Sequence, residues 1–495
     1  MGRGRKREYE SSSSSSSSSK IDPNKKTTGS SSQGKRPSFV SYLDSPNVPP
    51  KVKVLCEIIA QTPSTNVEQV LDDTGIRVSQ EDVEQVLKLS YSHPAPSMKF
   101  FRWAGFHLND KHSPYAWNLV VDLLGKNCLF DAMWDAIKSL QKGGFLSLAT
   151  FASVFSSYVS ANRVEEATMT FEVMNQYGVA RDIVALNSLL SAMCGDGKTR
   201  QAKHFLNTAK DKIRPDMDTY AILLEGFENE KDVSGAKVTF SDMVSDIGLD
   251  PLNGSAYDSF LTTLIKGREG MLETLKYYDM MRNSGCSPGM KFFKFALEEC
   301  LRKSDAKNAE YLFEAMVGKH RCVPDIEMYN LMIRLHCNLD NFKLVTKLLD
   351  EMVCNGVFPN ADSYNEIFQF LINRRRLNDA LPIFTEMLKN ECSLSLANCS
   401  LAVRVCVNSG DALLATKVWK YMIETYKSGL EETGNYLVVK LHEINRLPEA
   451  VKYAEDMIQR KIKVNSSTLS KLKQSLSKLG KRDLYEELLL KWKHH

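Results

Sequence analysis

No CxxC pair occurs in this sequence of 495 residues, although it holds eleven cysteines. That absence excludes the common zinc ribbons and dithiol redox sites. The scatter of the cysteines reads as reduced, partly buried thiols in an intracellular compartment, not as a disulfide framework. No run approaches the roughly 20 apolar residues that a membrane span needs, so no membrane partner is expected. A glycine-rich phosphate loop, metal-ligand spacing and nucleophile motifs are missing too, which leaves no enzyme activity and no cofactor to predict. Net charge is small: 64 Lys and Arg stand against 60 Asp and Glu, giving +4. The length is too great for one simple core and suits an array or several domains.

What is present is a repeat. Residues 326–360, IEMYNLMIRLHCNLDNFKLVTKLLDEMVCNGVFPN, are followed by 361–395, ADSYNEIFQFLINRRRLNDALPIFTEMLKNECSLS. Tyr329-Asn330 becomes Tyr364-Asn365, Phe342 is answered by Leu377 and Met352 by Met387, all at one offset. A fixed period in this range marks stacked supersecondary units. Val345, Leu348, Leu349 and Met352 form an i, i+3, i+4, i+7 stripe, as do Ala380, Ile383, Phe384 and Met387, so each back half is an amphipathic helix. Tyr329, Met332 and Ile333 give the front half its own buried face. Polar residues 338–341 suit a turn, Gly356 suits a left-handed helix end, and Pro359 blocks continuation. The unit is a helical hairpin.

The unit can be tracked from 114 to 465, with copies starting near 114, 148, 183, 217, 254, 290, 326, 361, 396 and 431. Its second-helix stripe recurs as Ala167/Phe171/Met174, Ala236/Phe240/Met243, Ala309/Phe313/Met316, Ala415/Trp419/Met422 and Ala450/Ala454/Met457. At this spacing a methionine stripe is core rather than a promiscuous binding groove. Residues 54–113 follow no clean repeat and are expected to form a helical N-terminal cap with one decayed unit, Phe100, Phe101 and Trp103 lying in its core. Residues 466–495 are expected to be a partial unit and C-terminal cap. Residues 1–53 differ: eleven Lys and Arg against four acids, with RGRKR at 3–7 and a serine tract at 11–19. This arm, about +7, cannot fold alone. It is compatible with an organellar transit peptide, a nuclear import signal or a plain solvated linker.

Tyr-Asn, a small turn, Ala-x-x-x-Phe-x-x-Met, Gly and then Pro-Asn, at a period of 35 in 326–395, resembles the pentatricopeptide repeat family, and the pure-repeat P class within it. The resemblance covers 114–465 and implies an all-α fold, a right-handed α-solenoid of tandem helix-turn-helix repeats. It further implies single-stranded RNA binding at one base per repeat, with no catalytic domain. Neither His442-Glu443 nor any other pair has the cysteine partners of a zinc deaminase.

In that family the fifth and last residues of a unit read the base. Carried over, the pairs are Asn118 with Ser147, Asn187 with Asp216, Asn330 with Asn360, Asn365 with Ser395, and Asn435 with Asn465. Ala152 with Asp182 is a weaker pair. Ala221 with Asn253, Asp258 with Gly289, Lys294 with Asp325 and Ser400 with Leu430 fit poorly. By the same resemblance, Asn with Asp favours uracil and Asn with Asn or Ser favours pyrimidines, so pyrimidine-leaning RNA is the expected partner. Tyr115 and Val184, at second positions, are the expected base-stacking residues, whereas Asp218, Lys291, Glu327 and Asp362 do not suit that role. The implied setting is the mitochondrion of a plant, ahead of the plastid, with a nuclear pool kept open by the arm. The competing reading is a non-catalytic protein-interaction scaffold, such as a subunit on an organellar ribosome. It suits an array that is near neutral outside the arm, because RNA affinity rests on Lys and Arg displacing counterions.

Overall fold

Helix caps recur at unit boundaries, and they set the architecture. The structure, a computed structural model, describes residues 39–267, 270–319 and 323–493. Among these, every regular element is a helix and no strand occurs. Asp182, Asp216, Asp325, Asn360 and Ser395 each accept a hydrogen bond from the backbone N–H three residues on, at 3.0, 2.8, 2.9, 3.0 and 3.2 Å. A side-chain N-cap of this kind stabilises a helix by roughly 1 kcal/mol. The last residue of one unit is therefore the N-cap of the next unit's first helix.

The chain divides into two compact units, one up to Lys138 and one from Ser139 on. In the second, first helices begin at Leu148, Ile183, Met217, Gly254, Met290, Ile326, Ala361, Leu396, Glu431 and Ser466. Each packs on the second helix of its own hairpin and, from Ile183 on, on the first helix before it. The result is two layers with the core between them. The second-helix stripes lie in that core: Ala167, Phe171 and Met174, and likewise Ala380, Phe384 and Met387, are all buried. Each buried Phe or Met contributes roughly 1.5–3 kcal/mol. Hairpins close by a repeated side-chain bond. Asn355 Nδ2 donates to the Tyr329 hydroxyl at 2.7 Å, and Asn390 Nδ2 to that of Tyr364 at 2.6 Å. Gly356 sits at φ 76° where the second helix ends, the left-handed conformation that glycine adopts without a Cβ clash.

Three boundaries differ from the sequence reading. The arm expected over 1–53 lies outside the described residues up to residue 38, but its last part is built into the fold. Phe39 packs against Tyr91, ring centroids 5.5 Å apart, and the helix Pro50–Gln61 starts with proline in its first turn. Proline is tolerated there because that N–H has no helical partner. Residues 54–113, expected to be a cap with one decayed unit, hold two hairpins, Pro50–Gln61 with Val67–Asp73 and Gln80–Leu89 with Pro94–His107. Their stripes are irregular because aromatic side chains fill the space: Phe100, Phe101 and Trp103 are buried, and Trp103 Nε1 donates to Asp72 at 2.6 Å. The final segment is a full helical pair, Ser466–Lys478 and Arg482–Lys493, rather than a partial unit.

Candidate nucleic-acid interface

Hairpin stacking places the fifth residue of a first helix beside the N-cap at the end of its unit for Asn187, Asn330, Asn365 and Asn435. Asn187 Nδ2 donates to Asp216 Oδ1 at 3.1 Å, and Asn330 Nδ2 to Asn360 Oδ1 at 3.4 Å. A third side chain, the third residue of the next unit, completes each site. Thr219 Oγ donates to Asn187 Oδ1 at 2.7 Å and Ser363 Oγ to Asn330 Oδ1 at 2.6 Å. The same hydroxyls accept the N–H of the N-cap, Asp216 and Asn360, both at 3.2 Å. The amide orientation follows from chemistry: the N-cap oxygen accepts, so the nitrogen faces it and the oxygen faces the hydroxyl. One N–H of each amide remains for a further acceptor. Burial pushes the Asp216 carboxyl up, but hydrogen bonds from Thr219 and Asn187 outweigh it and hold the group below the usual carboxylate range.

Asn365 and Asn435 sit at equivalent positions and are arranged differently. Asn365 Nδ2 donates to the carbonyls of Ala361 and Ser393, at 2.7 and 3.0 Å. Its oxygen accepts from the Ser395 N–H and from Asn398 Nδ2, at 2.8 and 2.9 Å. Asn435 repeats this with the carbonyls of Glu431 and Lys463, the Asn465 N–H and Thr468 Oγ. Both amides have their hydrogens and their oxygen engaged within the protein, at the positions where Asn365 with Ser395 and Asn435 with Asn465 are expected to read a base. The N-cap backbone differs between the two arrangements. Ser395 and Asn465 have φ of -65° and -72°, and their N–H meets the asparagine oxygen. Asp216 and Asn360, at -115° and -105°, turn theirs onto the capping-box hydroxyl instead.

Other candidate positions follow their side chains. Ala152 brings no polar atom to pair with Asp182, whose carboxylate caps its own helix. Asn118 and Ser147 belong to different compact units; Asn118 is half-buried and the Ser147 N–H donates to Thr150 Oγ1 at 3.4 Å. Ala152, Val184, Asn187 and Asp216 do come together, lining one groove of about 600 Å³ together with the acidic Asp218 and Glu225. Val184 is 56% exposed there. Tyr115 is 48% exposed, and the Lys88 ammonium lies over its ring at 4.8 Å.

Cations on the first-helix face carry acidic partners. Lys291 binds Glu228 at 2.7 Å, Arg334 binds Glu366 at 2.7 Å, Lys294 pairs with Glu327 and Arg404 with Glu432. The 374–376 arginine cluster is partly matched as well: Arg376 binds Asp379 at 2.8 Å, and Arg374 lies 3.6 Å from Asp340. Buried thiols are held protonated, burial pushing Cys194, Cys399 and Cys406 each up to about 12. Among the described residues no group of three His, Cys, Asp or Glu side chains could hold a metal ion.

The sequence reading missed Thr219, Ser363, Asn398, Thr433 and Thr468. Each is buried and bonds to the fifth residue of the preceding unit. A polar residue recurring one place before the Tyr-Asn position was the available signal.

Comparison with known proteins completes the picture. Residues 324–373 match the model of the PPR repeat family, 169–230 that of the pentatricopeptide repeat domain and 149–179 that of the PPR repeat. A mitochondrial pentatricopeptide repeat-containing protein of Arabidopsis thaliana is 34% identical over 175 residues, 35% of this chain and 34% of that one. A second mitochondrial protein of the same name and plant is 25% identical over 207 residues, 41% of this chain and 35% of that one. The chain thus spans about a third of the length of these two relatives. The crystal structure of the maize pentatricopeptide repeat protein PPR10 with an 18-nt psaJ RNA element is 20% identical, with TM-score 0.41, covering 89% of this chain and 67% of that one.

Proposed function

We propose, on the premise that this chain is a pentatricopeptide repeat protein, that it binds single-stranded RNA and acts in organellar RNA metabolism by occupying a transcript. The observation that carries this reading is the paired amide and N-cap of Asn187 with Asp216 and of Asn330 with Asn360, each retaining one N–H. Such a donor suits an acceptor on a base edge, and the family resemblance makes the expected target pyrimidine-leaning. Val184 offers an exposed apolar face beside the first pair, as stacking on a base requires. Tyr115 belongs to the same reading as a stacking residue. Asn365, Asn435 and Ala152 contribute little to it, so the sequence-selective part of the footprint is shorter than one base for every unit. The names of the relatives favour the mitochondrion, and the repeat pattern favours the non-catalytic P class.

The test is selection from a random RNA pool on the full chain, followed by affinity measurements across a salt series. A consensus with pyrimidines in register with Asn187 and Asn330 is the expected result. Weak binding of every sequence, lost at physiological salt, refutes the reading. The second reading, a protein-interaction scaffold, is favoured by the ion-paired cations Lys294, Arg334 and Arg404, which are poorly placed to meet phosphates.

A further inference from the structure

Thr219 and Ser363 separate two states of one recurring site. In the open state the third-residue hydroxyl takes the N-cap N–H and donates to the asparagine oxygen, and the amide nitrogen keeps one hydrogen. In the closed state of Asn365 and Asn435 the N-cap N–H donates directly to the asparagine oxygen, and both amide hydrogens go to backbone carbonyls. The acceptor chosen by the N-cap N–H is what differs. Thr219 and Ser363 are both fully buried, so neither touches a bound strand itself.

We propose that Thr219 and Ser363 are specificity-determining positioning residues, which hold Asn187 and Asn330 open by keeping the N-cap N–H away from the amide oxygen. Asn398 closes no capping box at Ser395, and there the N–H takes the amide. Thr468 carries a hydroxyl yet closes no box at Asn465, so the full box, rather than the hydroxyl alone, marks the open state. Helix capping survives loss of the hydroxyl, because the Asp216 and Asn360 oxygens still accept the N–H of residues 219 and 363.

The inference rests on the RNA-binding reading, and the test separates the two. Full-length Thr219→Val and Ser363→Ala are compared with Asn187→Ala and Asn330→Ala on the RNA selected by the wild-type chain and on its single-base variants. Preference for the matched base is expected to fall about tenfold in Thr219→Val and Ser363→Ala, the size of one net hydrogen bond. Thr219→Ser and Ser363→Thr are expected to keep it, and Thr219→Val is expected to add nothing to Asn187→Ala. Selectivity lost in the asparagine variants but unchanged in Thr219→Val and Ser363→Ala overturns the positioning role and leaves RNA reading intact. A uniform loss of affinity for all bases, tracking a lower melting temperature, overturns it as well. A wild-type chain that shows no base preference overturns both.

Discussion

Replacing Asp258 by Asn is expected to stabilise the protein at neutral pH and to do nothing in acid. Asp258 occupies the fifth position of the unit 254–289, yet it is buried at 9% exposure beside Gly289, where a Cβ would lie 2.6 Å from its Oδ2. Burial pushes its carboxyl up to about 6; hydrogen bonds from the Phe292 and Gly289 N–H groups and the nearby Lys291 charge pull the other way, and Glu228 adds to the rise. In the unfolded chain the group titrates near ~3.9. Between those values the native state binds the extra proton, so stability falls as pH rises through the window and the loss is complete above about pH 7. A rise of that size corresponds to about 3 kcal/mol at most. The partial water access of the site reduces this to roughly 1–2 kcal/mol. Asparagine keeps an acceptor for the Phe292 N–H, now 3.2 Å away, and carries no charge. Urea midpoints followed by circular dichroism at about pH 4 and pH 7.5 give the comparison: no change at the lower pH, and an upward shift worth roughly 1–2 kcal/mol at the higher. An equal shift at both values would show that the effect does not come from the charge, and destabilisation at pH 7.5 would show that the native carboxylate is ionised and useful; either way the argument from burial would fail.

Gly226→Ala should destabilise by about 1–3 kcal/mol, because the new Cβ would sit 2.5 Å from Thr199 Oγ1 and 2.9 Å from the Cys194 side chain; a thermal midpoint equal to wild type argues against close packing there. Tyr329→Phe and Tyr364→Phe each leave an asparagine amide without its hydroxyl partner and should lower stability by roughly 1 kcal/mol, nearly additively, as a denaturation double-mutant cycle can show. Glu327→Gln releases Lys294, so the slope of log affinity for single-stranded RNA against log salt should steepen by about 0.7. An unchanged slope places Lys294 off the RNA path.

Much of the fold was legible because the second-helix stripe reads as core more readily than as a binding groove. A small residue, an aromatic and a methionine at i, i+4, i+7 repeat too regularly to lie anywhere but between two layers, and Ala236, Phe240 and Met243 are all buried. The segment before residue 114 was harder. There Phe100, Phe101 and Trp103 fill the core without the recurring stripe, and Asp72, 31 residues earlier, meets the Trp103 indole. The site was legible by residue type and not by state. Asn330 and Asn365 follow the same tyrosine in consecutive units, but the amides are engaged differently, and the difference lies in a third side chain, Ser363 against Asn398, that the pairing of fifth and last residues leaves out.

The three side chains that span the boundaries at Asp216 and Asn360 have a consequence for building new arrays. A segment cut at the start of its first helix, for instance Ile183 to Asp216, carries Asn187 and its N-cap but leaves Thr219 behind in the neighbour. Grafted before a unit with a different third residue, it would bring the recognition amide without the group that orients it. The portable module is shifted by three residues, running from the fourth residue of one hairpin to the third of the next. Exchanges made on that register should transfer a base preference whole.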